Sequence, residues 1–529
     1  MKNILSNIST FQILILIIAL TISPIISFSQ RIDYEWIKTI SSSYNILSVL
    51  DKENNLIVVT NGTIEKFDIK GNSKWKINDT LVNVNSIAID NENNFYITGK
   101  NSKTHVISQT NVQETFYLYI AKYNKSGDKI WTSTSNIQTT TAGSPTNSNS
   151  IISDSYGDLY ITGTFQNSIS FGSFQLSDNN NNYSAIFIAK YDSAGNEKWV
   201  KKMFGTNSND LLTNGQGNDI VINRNNNIYV TGSYRGSFDF GGTVYSCNTF
   251  RDIFVTKLDT TGNFLKTMTF GGYENDEGCR MVIDSNNSLF LLAKFGDVIS
   301  LNGKNYYAID NYNNAIIIKL TDDIIEFATQ IGYSNGGDII SDISLDKNQD
   351  IIYVGSIGNW PTLYPVIYKI NSSGIEEWHY MIAESQEENF CSIHSLVSDT
   401  SGDLYITGSF NFKAYFGDSV LGSENKLWQN FIGKVDTSKH FPRIIFPKDS
   451  TISIMVFPTL TNGHLTISSF KYNLENIPLF IFNANGQVVK SFILNANESE
   501  IIFDELTCGI YFLQIIGTNF TEQFKIIKY

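Results

Sequence analysis

The sequence predicts an all-β chain: a seven-bladed β-propeller closed by an N-terminal strand, followed by a small C-terminal β-sandwich. Three observations predict it. Two short phrases recur seven times each between Leu47 and Lys434. No long helical period of apolar residues appears after the first thirty residues. Beyond the last repeat, residues 452–529 lose the phrases but keep a run of short strand patterns.

Residues 1–29 have the pattern of a signal peptide. Lys2 supplies a positive end, residues 11–20 are almost wholly apolar, and Pro24 breaks the segment shortly after them. Ser27 and Ser29 are small residues at the positions a signal peptidase reads, which predicts cleavage before Gln30. The apolar stretch is short for a bilayer span, so no transmembrane segment is expected in the mature protein. A buried first helix is the competing reading.

The remainder is rich in apolar (42%) and aromatic (13%) residues, enough to build real cores. Net charge is −13, and Lys and Arg are scattered, so no footprint for nucleic acid is present. Acidity here reads as solubility. Of the four cysteines, Cys247, Cys279, Cys391 and Cys508, none has a metal-type spacing; a Cys247–Cys279 bond and four free thiols are both open.

Residues 30–441 hold the repeat. Its first phrase is an apolar pair, Asp or Asn, a polar turn, then aromatic-apolar-Thr-Gly, as in Ile87 to Gly99 and Ile151 to Gly163. Its second is apolar-x-Lys-apolar-Asp, a Gly-bearing turn and often Trp. The lysines are Lys66, Lys122, Lys190, Lys257, Lys319, Lys369 and Lys434; Trp75, Trp131, Trp199 and Trp378 come after four of them. Each unit reads as four short strands, because the alternation has a two-residue period and the turns use Asn, Asp, Ser and Gly. Seven four-stranded units packed face to face make a propeller. The seventh has no Trp strand after Lys434, whereas an orphan strand at 34–38 carries Trp36. That strand is predicted to complete the last unit and close the ring; an open stack of sheets is the alternative.

These phrases resemble the bacterial seven-bladed β-propeller repeat family over roughly residues 31–441. The resemblance implies the fold and is silent on activity.

Residues present in most units are expected to pack rather than react. Each Lys is predicted to cross a neighbouring strand or pair with the Asp two residues on (Asp68, Asp192, Asp259, Asp436), and each Trp to fill space between units. Asx-rich turns such as 154–158 and 399–403 lack the closing Glu of a calcium loop and read as hairpin turns. The histidines (His105, His379, His394, His440 and His464) have no metal-ligand spacing, and no catalytic or cofactor motif is present. No catalytic residue, metal or cofactor is therefore predicted. Strand direction puts the long, unlike two–three loops and the links between units on one face, the usual home of binding. Trp360 and Trp428 are the ligand candidates there. Part of these loops recurs as an apolar alternation ending in Gly, at 169–172, 238–241 and 414–417, which predicts an extra packed hairpin.

Pro442 and Pro447 mark a linker at 442–451, and Asn485-Gly486 signals a hairpin within the C-terminal segment. Residues 452–529 resemble the C-terminal sorting domain of the type IX secretion system of Bacteroidetes. Pro458, Asn462, Gly463, Gly486, Gly509, Tyr511, Lys525 and Lys528 carry the match. Thr459-Leu460 and Cys508 depart from the family, where Asn-Pro and Ser are usual. The resemblance implies Sec-dependent passage, the type IX machinery as partner, and delivery to the outer surface or medium. An adhesive β-sandwich is the alternative for this segment.

The expectation is an exported binding or adhesion protein whose partner is a glycan or surface protein. An extracellular enzyme acting on polysaccharide and a structural surface component are the alternatives.

Overall fold

The computed structural model describes residues 34–40, 46–79, 83–108, 111–137, 146–178, 184–206, 213–308, 314–331, 339–357, 364–385, 390–416, 419–422 and 428–435 of the repeat region. In the tail it describes 454–457, 460–461, 464–469, 473–483, 486–496, 498–503, 505–507, 509–517 and 521–528. The leader, the linker and Trp360 lie outside the described residues. Every element among the described residues is a strand, and no helix there is long and apolar enough to cross a membrane.

Among the described residues the strands pair as seven antiparallel four-stranded meanders, one per repeat. Unit three is representative: Asn147–Ser153, Leu159–Gln166, Ser184–Tyr191 and Glu197–Gly205 pair in sequence order. Its second strand is buried along nearly its whole length, while its fourth is half-exposed. Sheets covered on both faces need continuous apolar strands, which is why aromatic-apolar-Thr-Gly recurs at this place. The unit beginning at Cys391–Ser398 takes its fourth strand from Tyr34–Ile40, which pairs antiparallel with Gln429–Val435.

The phrases have a mechanical basis. The phrase Tyr, its cross-strand Lys and the next strand's Trp form one layered contact: Tyr160 opposes Lys190, which opposes Trp199. The Lys190 ammonium lies 5.0 Å from the Tyr160 ring centre, within reach of its π-face. Three of these Trp then seat on the turn glycine of the next unit, where a Cβ would crowd the indole: Trp75 on Gly127, Trp131 on Gly195, Trp199 on Gly262. Trp36 makes the same contact with Gly71 of unit one and stands opposite Lys434. In units two to four the Thr of Thr-Gly donates its hydroxyl to a carbonyl of the third strand: Thr98 to Tyr119 at 2.8 Å, Thr162 to Phe187 at 3.0 Å and Thr231 to Phe254 at 2.7 Å. The Gly faces the inner strand so closely that a Cβ on Gly163 would lie 2.1 Å from the Asn147 oxygen.

The lysines lie across neighbouring strands, but the expected ion pairs are corrected: the carboxylate partners of Lys66, Lys190 and Lys257 are not the Asp two residues on, and Asp436 lies outside the described residues. Lys66 pairs with Asp51 at 2.6 Å, Lys190 with Asp158 at 2.9 Å and Lys434 with Asp403 at 2.8 Å, all in the turn between the unit's first two strands. Asp68, Asp192 and Asp259 instead accept backbone N–H groups within their own turns. Those bonds, with Lys198 beside Asp192, hold their carboxyls below the usual range.

The extra hairpins bind unit to unit. Ser168–Phe171 and Phe174–Ser177 form a hairpin whose first strand pairs with Lys129–Ile137 of the preceding unit. Likewise Tyr415 opposes Glu384. The short apolar alternation ending in Gly is this clasp.

In the tail, one sheet contains Ile454–Phe457, His464–Ser469 and Glu498–Ile502, and the other contains Ile477–Asn483, Val488–Leu494, Gly509–Ile516 and Thr521–Lys528 with Leu460–Thr461. Leu465 and Ile467 of the first share a buried cluster with Leu479, Ile481, Leu513 and Ile526 of the second.

Candidate functional site

The first strand of each unit lies innermost, and six of the seven carry a register shift at the same place. Opposite the Thr-Gly dipeptide, or Leu292-Ala293 and Val354-Gly355 at the same place in units five and six, one extra residue is inserted: Asn85, Asn149, Asn218, Cys279, Ser341 or His394. A bulge bends the strand and re-aims one side chain. All six bulge residues line a single cavity of about 370 Å³, and with Ile46 and Leu47 every unit contributes to its wall.

The bulge amides of three successive units do the same work. Asn85 donates Nδ2 to the Ser148 oxygen (2.8 Å), Asn149 to Gly217 (2.6 Å) and Asn218 to Gly278 (2.9 Å), each reaching one unit forward. In units five to seven the position changes chemistry. Cys279 is a free thiol that burial and Glu277 push up to about 12. His394 bonds the Ser409 hydroxyl through Nε2 at 2.8 Å, and burial lowers its pKa, which favours the neutral ring.

The residue after each bulge forms a second layer: Ser86, Ser150, Asp219, Arg280, Asp342 and Ser395. Asp219 accepts the Ser150 hydroxyl (2.7 Å) and the Met281 N–H (2.7 Å), spanning three units. Asp342 accepts the Leu396 N–H at 2.9 Å. Burial raises both carboxyls, against the pull of Arg280, whose Nε is 3.9 Å from Asp342. Across the first-to-seventh junction Ser48 and Ser395 hydroxyls meet at 3.2 Å.

A second cavity of about 350 Å³ adjoins through Asn147, Asn149 and Gln216 and is lined further by Thr164, Asn214, Ser233 and Arg251. Near it, burial raises Asp252 to about 6 and Asp276 to about 8. Asp276 is wholly buried, and its two oxygens accept the Gly272 and Gly296 N–H groups, so it offers nothing to a ligand. Glu277 is the one carboxylate among the described lining residues of the larger cavity. Glycosidic cleavage uses two carboxylates across a cleft. No cluster of three metal-ligating side chains occurs among the described residues.

Of the two ligand candidates named from sequence, Trp360 lies outside the described residues. Trp428 is half-buried and stacks on Phe390 at 6.3 Å, and it is not among the residues lining either cavity. The axial residues escaped sequence reading because a bulge has no sequence period. Their one signal was the change from Asn to Cys, Ser and His at equal spacing from the end of the first phrase. Cys247 and Cys391, like Cys279, are free thiols; Cys508 lies outside the described residues.

Of the sorting residues, Gly486 occupies a left-handed turn position (φ 77°). Tyr511 donates its hydroxyl to the Thr507 oxygen at 2.6 Å, and Gly509 opposes the buried Lys528. Lys525 lies in the last strand; Pro458, Asn462 and Gly463 lie outside the described residues.

Residues 455–529 match the secretion system C-terminal sorting domain. The chain thus carries a type IX sorting domain and is exported by that route to the cell surface or beyond. No curated protein matches the chain. Among solved structures, the Dos1 propeller is 12% identical, covering 77% of this chain and 81% of its own, at a TM-score of 0.39. The Neurospora crassa Pan2 WD40 domain is 10% identical, with coverages of 78% and 98% and a TM-score of 0.40. PorZ of Porphyromonas gingivalis, a surface component of the type-IX secretion system, is 10% identical, with coverages of 93% and 71% and a TM-score of 0.25. Likenesses this loose assign no function.

Proposed function

We propose that the protein is a surface-displayed or secreted binding protein: a closed seven-bladed β-propeller whose axial cavity receives the ligand, delivered by its C-terminal β-sandwich. One observation carries the reading. Around a cavity lined by all seven units, the backbone repeats while the side chains do not. Support for closure comes from Trp36, which meets Gly71 as Trp75 meets Gly127, and from the 34–40 strand paired with 429–435.

Binding rather than cleavage is favoured because the cavity wall is amide-rich and has a single carboxylate among its described residues. A glycan or a surface protein is the partner class. Residues 1–29 would serve Sec passage, and residues 452–529, after the 442–451 linker, the type IX step.

The test is binding of the purified full chain to a glycan array, with mass detection of products. Saturable binding lost on Gln216→Leu, without cleavage, is the expected result. Cleaved product would replace this reading with a polysaccharide-acting enzyme, and self-association alone with a structural surface component. For export, deletion of 452–529 should leave the protein in the periplasm on cell fractionation. Normal surface arrival of that truncation would overturn the assignment of the tail as the delivery signal.

A further inference from the structure

We propose that the axial cavity takes a saccharide bearing a carboxylate. This rests on the cavity being the ligand site and names the ligand's chemistry. The wall is unusual for an acidic chain of net charge −13. Lys294 lines the larger cavity and Arg251 the adjoining one, and both are half-buried. Among the described residues neither has a carboxylate within ion-pair distance, whereas Lys66, Lys190, Lys369 and Lys434 all do. Arg280, by contrast, is already flanked by Asp219 and Asp342. Opposite Lys294 in register stands Glu277, but its carboxylate accepts the Asn218 amide at 2.8 Å. A cation withdrawn from water without a partner is costly, and a ligand carboxylate would relieve that cost.

The rest of the wall fits hydroxyls. Asn85 spends its Nδ2 group on the neighbouring unit, on the Asn147 side chain and the Ser148 carbonyl, and Asn218 on Glu277 and Gly278, which leaves their amide oxygens as acceptors. In the adjoining cavity the hydroxyls of Thr164 and Ser233 are buried (3% and 1% exposed) and have no protein partner. A sugar hydroxyl both donates and accepts, so it serves both kinds of site. The two cavities hold about 370 and 350 Å³, room for a short oligosaccharide rather than a folded partner.

Calorimetry on the full chain tests this with trigalacturonate and 3′-sialyllactose, each beside its methyl ester, and with hexaglutamate. At least one acid should bind about tenfold more tightly than its ester, the scale of one charge-assisted contact. That margin should shrink as salt is raised. Lys294→Gln and Arg251→Gln should each weaken the acid several-fold, leave the ester unchanged, and keep the melting temperature of the parent. Equal binding of acid and ester would overturn the charge assignment while leaving the cavity as a glycan site. Tighter binding of hexaglutamate than of either sugar acid would overturn the saccharide in favour of an acidic peptide. Failure of both acids, with neutral glycans still bound and lost on Gln216→Leu, sinks this inference alone. Failure of every glycan sinks the reading it rests on as well.

Discussion

The outer part of each unit and its innermost strand differ in how deeply they repeat. On the outside, residue and contact recur together: Tyr, Lys and Trp stack, and the Trp seats on the next unit's glycine. On the inside the backbone recurs in six units, but side chain and contact recur together in only three. The bulge returns in six units, but its side chain is Asn three times and then Cys, Ser and His. Packing between sheets demands one shape at every junction, so it holds the residue fixed. A wall facing an open cavity makes no such demand. Variation on an unvarying backbone therefore marks where a ligand can be recognised.

Variants can break or sharpen that contrast. The largest effect should come from Asp219→Ala, an inner residue that nevertheless holds three units together. It strands the buried Met281 N–H and Ser150 hydroxyl and should cost about 3 kcal/mol in urea unfolding. A loss near zero would show that the second layer is as free as the bulge. Trp131→Ala, on the outside, should cost about 2 kcal/mol, since the indole is only half-buried, and leave ligand affinity untouched. A changed affinity would break the division between the two regions. Asn149→Ala loses one interunit hydrogen bond, worth about 1 kcal/mol in the same unfolding measurement.

The smallest effect concerns pH. Burial raises Asp252 to about 6, so the folded state holds that proton more tightly than the unfolded chain. Its contribution is complete below the ordinary carboxyl value of about 4 and is lost as pH climbs through 6. Asp276, raised to about 8, extends the same decline upward. Melting curves of Asp252→Asn should be flatter than the parent's between about pH 4 and 6. An unchanged slope would show that Asp252 does not carry that part of the decline.

Much of this architecture was legible in sequence, for a physical reason. Strand alternation, turn residues and the orphan Trp36 are local patterns, and each maps onto one contact. The 169–172 and 414–417 hairpins were legible too, because apolar alternation inside a polar loop must be buried somewhere. The lysine partners were not. Asp68 is two residues from Lys66 in sequence, yet Asp51 reaches it across the sheet, and that proximity depends on register. Register also decides that Cys279 and His394 share a cavity although 115 positions separate them. A loop tryptophan such as Trp428 is conspicuous by type, but its stacking on Phe390 depends on which segments the fold brings together.

The pairing of 34–40 with 429–435 also bears on the order in which the chain acquires structure. Trp36 and Lys434 stand opposite each other across almost the full repeat region, a contact of very high sequence separation. Closing so long a loop is slow, and nothing rewards it until the last unit exists. Units one to six can each form from neighbours along the chain, but the seventh must wait with an open edge for a strand made long before. Folding should therefore end, rather than begin, at the N-terminal strand. Refolding monitored through Trp36 is then expected to lag behind the burial of Trp131 and Trp199.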